Sequence, residues 1–303
     1  MKLLRSTHLS RYPVVFRALT GQTLAPFDIL QADFGPRYRA AEEARLNRPD
    51  RRRARGGGRH TALGPRDQLL LTVVWLRRYP IYAVLGFLFG VDETTALRTV
   101  GRVLPVLEAA GLDTFRLPDP GKGKRPTLDA LLADTPELAV IVDSCEQRVQ
   151  RPCDRAAADT YYSGKKQQHT LKSQVAIDER DGRVVDVPPS VRGPTNDLTL
   201  LKDSGLLDRL PDGVGTLGDL AYVGIATLHP AGATPRRKPR GKPRPAEDIA
   251  YNTAFARRRV PVEHTIGRLR CYQALSQTDR HHRRHHTRRV RAIAGLVNRC
   301  LAN

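Results

Sequence analysis

The sequence holds no C-x-x-C pair: its four cysteines, Cys145, Cys153, Cys271 and Cys300, are never two residues apart. The clustered thiolates of a zinc knuckle are therefore excluded. The cysteines read as free thiols, buried or half-buried, in a reducing compartment. No apolar run reaches the roughly 18 residues that a membrane-crossing helix needs. The opening stretch "MKLLRSTHLSRYPVVF" turns polar after Leu4, too early for a secretory leader. A cytosolic or nucleoid-associated protein is expected. Acid is also scarce. Asp and Glu number 31 against 51 Lys and Arg, for a net charge of +20 and a pI near 10.5. A field of that sign favours a polyanionic partner, nucleic acid before anionic membrane.

The positive charge is not spread evenly. Between Arg236 and Asn303 there are 18 Lys and Arg against 4 Asp and Glu, so +14 of the +20 lies in the last 68 residues. That concentration marks a phosphate-binding face. With 303 residues the chain is long enough for two domains and an extra arm.

Residues 1–59 read as a partly helical segment ending in a basic arm. The stretch "RRRARGGGRH", residues 51–60, suits a flexible connector. Its arginines could equally follow a phosphate backbone or enter a minor groove. A helical pattern fills 60–116. Pro65 and Asp67 suit a first turn, Pro80 ends that helix, Gly90 suits a tight turn and Asp92 a cap. In the following helix Leu97, Val100, Leu104 and Leu107 make an apolar stripe, and Thr95, Arg98, Thr99 and Arg102 a polar one of the same period. Two helices, a glycine turn and a third helix with a Thr/Arg outer face suggest a helix-turn-helix whose hydroxyls and guanidinium groups meet DNA.

Residues 117–134 contain "LPDPGKGKRP", a linker signal. From 135 to 303 strands and helices alternate. Strand-like runs cover 138–144, 169–177 and 183–188, with "ERDG" as a hairpin turn between the last two. A further short strand leads into Asp219. Asp197, in "TND", reads as a helix cap. His281, His282, His285 and His286 have metal-capable spacing, but the arginines among them favour a DNA-facing basic helix. His264 reads as structural.

The segment "AVIVDSCEQRVQRP" raises the sharpest chemical question, because the apolar run ends in Asp143 and a buried unpaired carboxylate is costly. Asp219 also follows a strand, in "GTLGDLAYVG", and Glu263 lies among arginines in "RRRVPVEHTIGRLR". Two strand-end aspartates and one helix glutamate can converge at a sheet edge. Hard oxygen ligands of that kind select Mg²⁺ or Mn²⁺. A pair of such ions would clamp the attacking and leaving oxygens of a phosphodiester.

Six motifs in this order resemble the DDE transposases of the IS5-related insertion-sequence type: "VIVDS", "YYSGKKQQHTLK", "DGRVVDV", "GPTND", "GDLAYVG" and "RRVPVEHTIGRLR". The resemblance spans residues 60–300, with 75 residues between Asp143 and Asp219 and 43 between Asp219 and Glu263. It implies an α/β fold, an RNase H-like catalytic domain with a mixed central sheet flanked by helices, behind an N-terminal all-α helix-turn-helix domain. It implies hydrolysis at terminal inverted repeats and then attack of the freed 3′-hydroxyl on target DNA. Asp143, Asp219 and Glu263 would hold two Mg²⁺ or Mn²⁺ ions. Arg259 and Arg270 match the basic places around the glutamate and would position phosphate. Ala256 stands where the family pattern has Tyr. Lys165, Lys166 and Lys172 are candidate phosphate contacts. The partners implied are transposon-end and target DNA, with a homodimer or higher assembly in the synaptic complex. A catalytically silent DNA-binding regulator and a non-mobile two-metal nuclease are the alternatives.

Overall fold

A computed structural model of the chain describes residues 4–47, 49, 61–122 and 127–302. The basic arm at 51–60 lies outside the described residues, as does part of the linker.

The chain divides into two units, one of residues 1–113, 271–276 and 291–303, the other of 114–270 and 277–290. The N-terminal segment and residues 61–112 fall in one unit, together with residues 291–303.

The first unit is helical: α1 (Ser6–Leu9), α2 (Pro13–Thr20), α3 (Leu24–Leu46), α4 (Pro65–Arg78), α5 (Tyr82–Phe89) and α6 (Glu93–Leu112). Pro65 opens α4, where its missing N–H costs nothing. Asp67 in that first turn accepts from the Ser6 backbone N–H at 2.7 Å. All residues from 68 to 76 are buried, so α4 is the central helix and not a one-faced one. Tyr79 ends it in the left-handed region at φ 49°, just before Pro80. Gly90 closes α5 at φ 63°, and the Asp92 carboxylate caps α6 by accepting from Thr95 N–H. Gly111 meets Gly295 so closely that a Cβ on Gly295 would stand 2.2 Å from the Gly111 Cα. Only hydrogen fits there.

The second unit is built on a mixed seven-stranded sheet in the order β2-β3-β1-β6-β7, with β4 and β5 also paired to β3. Its strands are β1 (Ala139–Arg148), β2 (Tyr162–Ser163), β3 (Gln168–Asp178), β4 (Val184–Asp186), β5 (Val191–Arg192), β6 (Gly215–Leu217) and β7 (Gly232–Ala233). The helices are α7 (Arg155–Tyr161), α8 (Asp197–Asp203), α9 (Ile225–Leu228) and the long α10 (Ala246–Arg270). α11 (Gln273–Ser276) falls in the first unit, and α12 (His286–Leu301) contributes residues to both. Long β1 and β3 pair antiparallel, while β1–β6 and β6–β7 are parallel.

The first half of β1 is fully buried and its second half only partly so. Val140 and Val142 point into a core with Leu138, Ala176, Leu201 and Val214. A buried ion pair fastens α10 to the start of this strand: Arg258 bonds both Glu179 oxygens at 2.8 and 2.9 Å, and Glu179 accepts from Ala139 N–H at 2.8 Å. The same guanidinium donates to the Thr135 hydroxyl and the Pro136 carbonyl.

Candidate functional site

Asp143 does not end its strand, as the sequence suggested. It lies midway along ten-residue β1. What ends near it is the parallel neighbour. Ile141 pairs with Leu217, the last residue of β6. Two residues further along each chain stand Asp143 and Asp219, so the parallel register carries the two acids to the same level. Asp219 then caps the 3-10 turn 220–222 by accepting from Ala221 N–H at 2.9 Å.

The surroundings of Asp143 are strongly desolvated. Burial is the main reason the Asp143 carboxyl is pushed up from the ordinary Asp value to about 6. The negative charges of Asp219 and Asp197 add to this, while the Ser144 N–H and Arg259 oppose it. Arg259 stands 3.5 Å from Asp143. Glu263, one helical turn further along α10, is exposed. It lines a cavity of about 370 Å³ together with Asp143, Asp197, Lys165, Lys166, Lys172 and Arg270.

Two participants escaped the sequence reading. The first is Asp197. Asn196 is the actual cap of α8, accepting from Thr199 N–H at 3.1 Å, which leaves the Asp197 carboxylate free to turn inward. It accepts from the Ser144 hydroxyl at 2.5 Å and pairs with Lys172 at 3.1 Å. Either residue of "ND" can cap, so only the fold separates them. The second is Tyr222, fully buried. Burial and then Asp197, Asp143 and Asp219 raise its phenol above the ordinary tyrosine range, so it stays protonated among three carboxylates. A Cβ on Gly218 would lie 2.5 Å from the Tyr222 Cβ, so this glycine makes room for the ring. The sequence signal was present in "GDLAY", but nothing in its spacing says where the ring points.

Among the described residues no three His, Cys, Asp or Glu side chains stand close enough to hold one metal ion. The donor set still suits a hard cation. The carboxylates supply oxygen only, and burial makes the ionised Asp143 carboxylate costly unless a cation partners it.

The first unit carries a separate concavity of about 780 Å³, lined by Thr95, Arg98, Thr99 and Arg102 with Arg45, Gln68 and Asp92. The four candidates from α6 do share one hollow. The stripes differ from expectation, however: Thr99 is 1% exposed and Leu97 47%. α6 is packed by α3, α4 and α5 together, so its buried arc is wider than a single stripe.

A family profile described as "DDE superfamily endonuclease" matches residues 142–298. A second, "Helix-turn-helix of DDE superfamily endonuclease", matches 61–112. The "Probable transposase for insertion sequence element IS702" of Microchaete diplosiphon is 30% identical over 253 residues, 84% of this chain and 87% of that protein. The chain belongs to the DDE superfamily of transposases.

In this DDE transposase the basic candidates have unequal surroundings. Lys165, Lys166 and Arg270 are exposed at the cavity. Lys172 lies in β3 with its ammonium on the Thr195 carbonyl at 2.5 Å and on Asp197. Arg259 is buried and turned towards Asp143. The histidine-rich segment is not one DNA-facing surface. His286 is buried between the Ser190 hydroxyl and the Gln147 amide, both at 2.8 Å. Arg289 is buried against Asp279. Of the four free cysteines only Cys145 is shielded; the other three are exposed. Burial pushes the Cys145 thiol up to about 11. No helix among the described residues is long and apolar enough to cross a membrane.

Proposed function

We propose that the acidic cavity of the second unit cuts a DNA strand at the ends of a mobile element and joins the freed 3′-hydroxyl to target DNA. The observation that carries this is the desolvated Asp143 carboxyl, level with Asp219 across a parallel strand pair and sharing a cavity with Glu263. Asp143, Asp219 and Glu263 would hold two divalent ions, Mg²⁺ or Mn²⁺. Bound there, such ions supply Lewis-acid activation of the attacking oxygen and charge balance for the leaving one.

The protein's own groups do the rest. Lys165, Lys166 and Arg270, at the same cavity, hold phosphate oxygens of the strand. Arg259 keeps Asp143 oriented through its guanidinium contact. Lys172 and Ser144 fix Asp197, and the protonated Tyr222 phenol spaces the aspartates. In the first unit, Arg98 and Arg102 with the Thr95 hydroxyl recognise the terminal repeat; Thr99, buried in the helical core, supports α6 instead. Holding two ends at once calls for at least a dimer on DNA.

The test is incubation of the full chain with Mg²⁺, a duplex carrying the ends of its own element, and a target plasmid. Nicking at the element's boundary followed by joined product supports the reading. Nicks without joining would reduce the protein to a nuclease. Binding without nicks, unchanged in Asp143→Asn, would reduce it to a regulator.

A further inference from the structure

A shallow groove of about 480 Å³ lies on α10, separate from the acidic cavity. Glu263 is the one described residue that lines both. The groove floor is a single helical face, Ile249, Thr253, Ala256, Val260 and Glu263, stepping four, three, four and three. Ile249 is 52% and Val260 37% exposed. Arg244 and Arg257 flank this apolar strip. Arg257 is exposed and makes no ion pair among the described residues. The Arg244 Nε is buried with no hydrogen-bond partner.

The loop leading into α10 is built to stay beside this groove. The Asn252 amide accepts from Arg236 N–H at 2.7 Å and donates to its carbonyl at 3.0 Å. The Arg236 guanidinium covers the Tyr251 ring at 4.1 Å and pairs with Asp134 and Asp248 at 3.6 and 3.4 Å. With Arg236 clamped, Arg237, Lys238, Arg240 and Lys242 follow as exposed cations.

We infer that this groove takes one or two unpaired nucleotides of the DNA strand that enters the acidic cavity. The inference rests on the reading that the second unit acts on DNA. A duplex offers a protein helix mainly charged phosphates along its edges. An unpaired base offers an apolar face as well, and the chemistry here is a bare apolar strip between guanidinium groups. Single-strand sites pair a surface for base faces with a basic flank; here the surface is aliphatic, not aromatic. The volume falls within the ordinary range of small-ligand clefts, about 300–1,000 Å³. Ile249, Ala256 and Val260 would meet the base, Arg244 and Arg257 its phosphates, and Glu263 marks where the strand passes to the acids.

The test uses the full chain in EDTA, a fluorescently labelled short oligo(dT) and a duplex of unrelated sequence, read by anisotropy. Ala256→Glu, which sets a carboxylate on the exposed floor, and the pair Arg244→Ala with Arg257→Ala are compared with wild type, each fold checked by thermal midpoint. Each should weaken oligo(dT) binding by about tenfold or more, with duplex binding changed by less than about twofold. Photocrosslinks from 4-thiothymidine in the oligonucleotide should fall within residues 249–260. Unchanged oligo(dT) binding in Ala256→Glu, crosslinks elsewhere, or no oligo(dT) binding by the wild type would overturn the inference. Equal loss for oligo(dT) and duplex would overturn it too, because the groove would then hold a duplex backbone. No cleavage is read here. A chain that passes this test but never nicks DNA would sink the catalytic reading and leave the groove standing.

Discussion

At the scale of single residues the main tension is at Asp143. Its carboxyl holds a proton up to about 6 in the folded chain, well above an unfolded Asp near 3.9. A carboxyl raised on folding gives its full stability below the unfolded value and loses it as pH rises through the folded one. The window of loss is therefore about pH 4 to 6, and the metal-free protein carries the cost at neutral pH. Asp143→Asn removes that cost. In EDTA the variant should be more stable than wild type at pH 8 by about 2 kcal/mol, after allowing for the lost Arg259 contact. Near pH 4 the two should coincide. Urea midpoints at both pH values check this, and a less stable variant at pH 8 would contradict it. Such a gain is what a residue placed for chemistry, at a cost in stability, should give.

At the scale of elements the fold depends on close approaches that a sequence conceals. Gly111 and Gly295 touch backbone to backbone within the first unit. Gly295→Ala should cost about 1–3 kcal/mol through overpacking, visible as a lower thermal midpoint; a neutral result would mean the helices are looser than described. In the second unit, Arg258→Met leaves Glu179 buried without its cation, which should cost about 3–5 kcal/mol. A urea titration decides that case. The elements themselves were largely legible. Apolar runs marked β1 and β3, Pro65 and Asp92 marked helix starts, and Gly90 marked a turn. Boundaries were less so. β1 continues through polar Ser144–Arg148 because β3 pairs with it along that whole length, and pairing partners are not written in local pattern. α6 misled for a related reason: three neighbouring helices bury Thr99, whereas periodicity alone suggests one buried side.

At the scale of the whole molecule the net charge of +20 makes DNA binding steeply salt-dependent. If the protein neutralises about 6–10 phosphates, affinity should fall by about 10³–10⁵ between roughly 50 and 200 mM salt. A filter-binding series gives the slope, and a flat one would remove DNA as the partner. The acids proposed to hold the ions, Asp143, Asp219 and Glu263, stand in motifs that could be read in order. Their mutual placement was not, because it depends on the parallel register of β1 with β6 and on α10 reaching the same cavity. Asp197 was passed over because Asn196 beside it could not be told apart as the cap. The most direct test of the account is calorimetric titration of Mn²⁺ into the metal-free full chain, with Asp143→Asn, Asp219→Asn and Glu263→Gln beside it. Saturable binding by the wild type that is lost in Asp143→Asn and Asp219→Asn, and weakened in Glu263→Gln, is the expected result. Binding unchanged in all three variants would contradict the proposal that these carboxylates hold the ions.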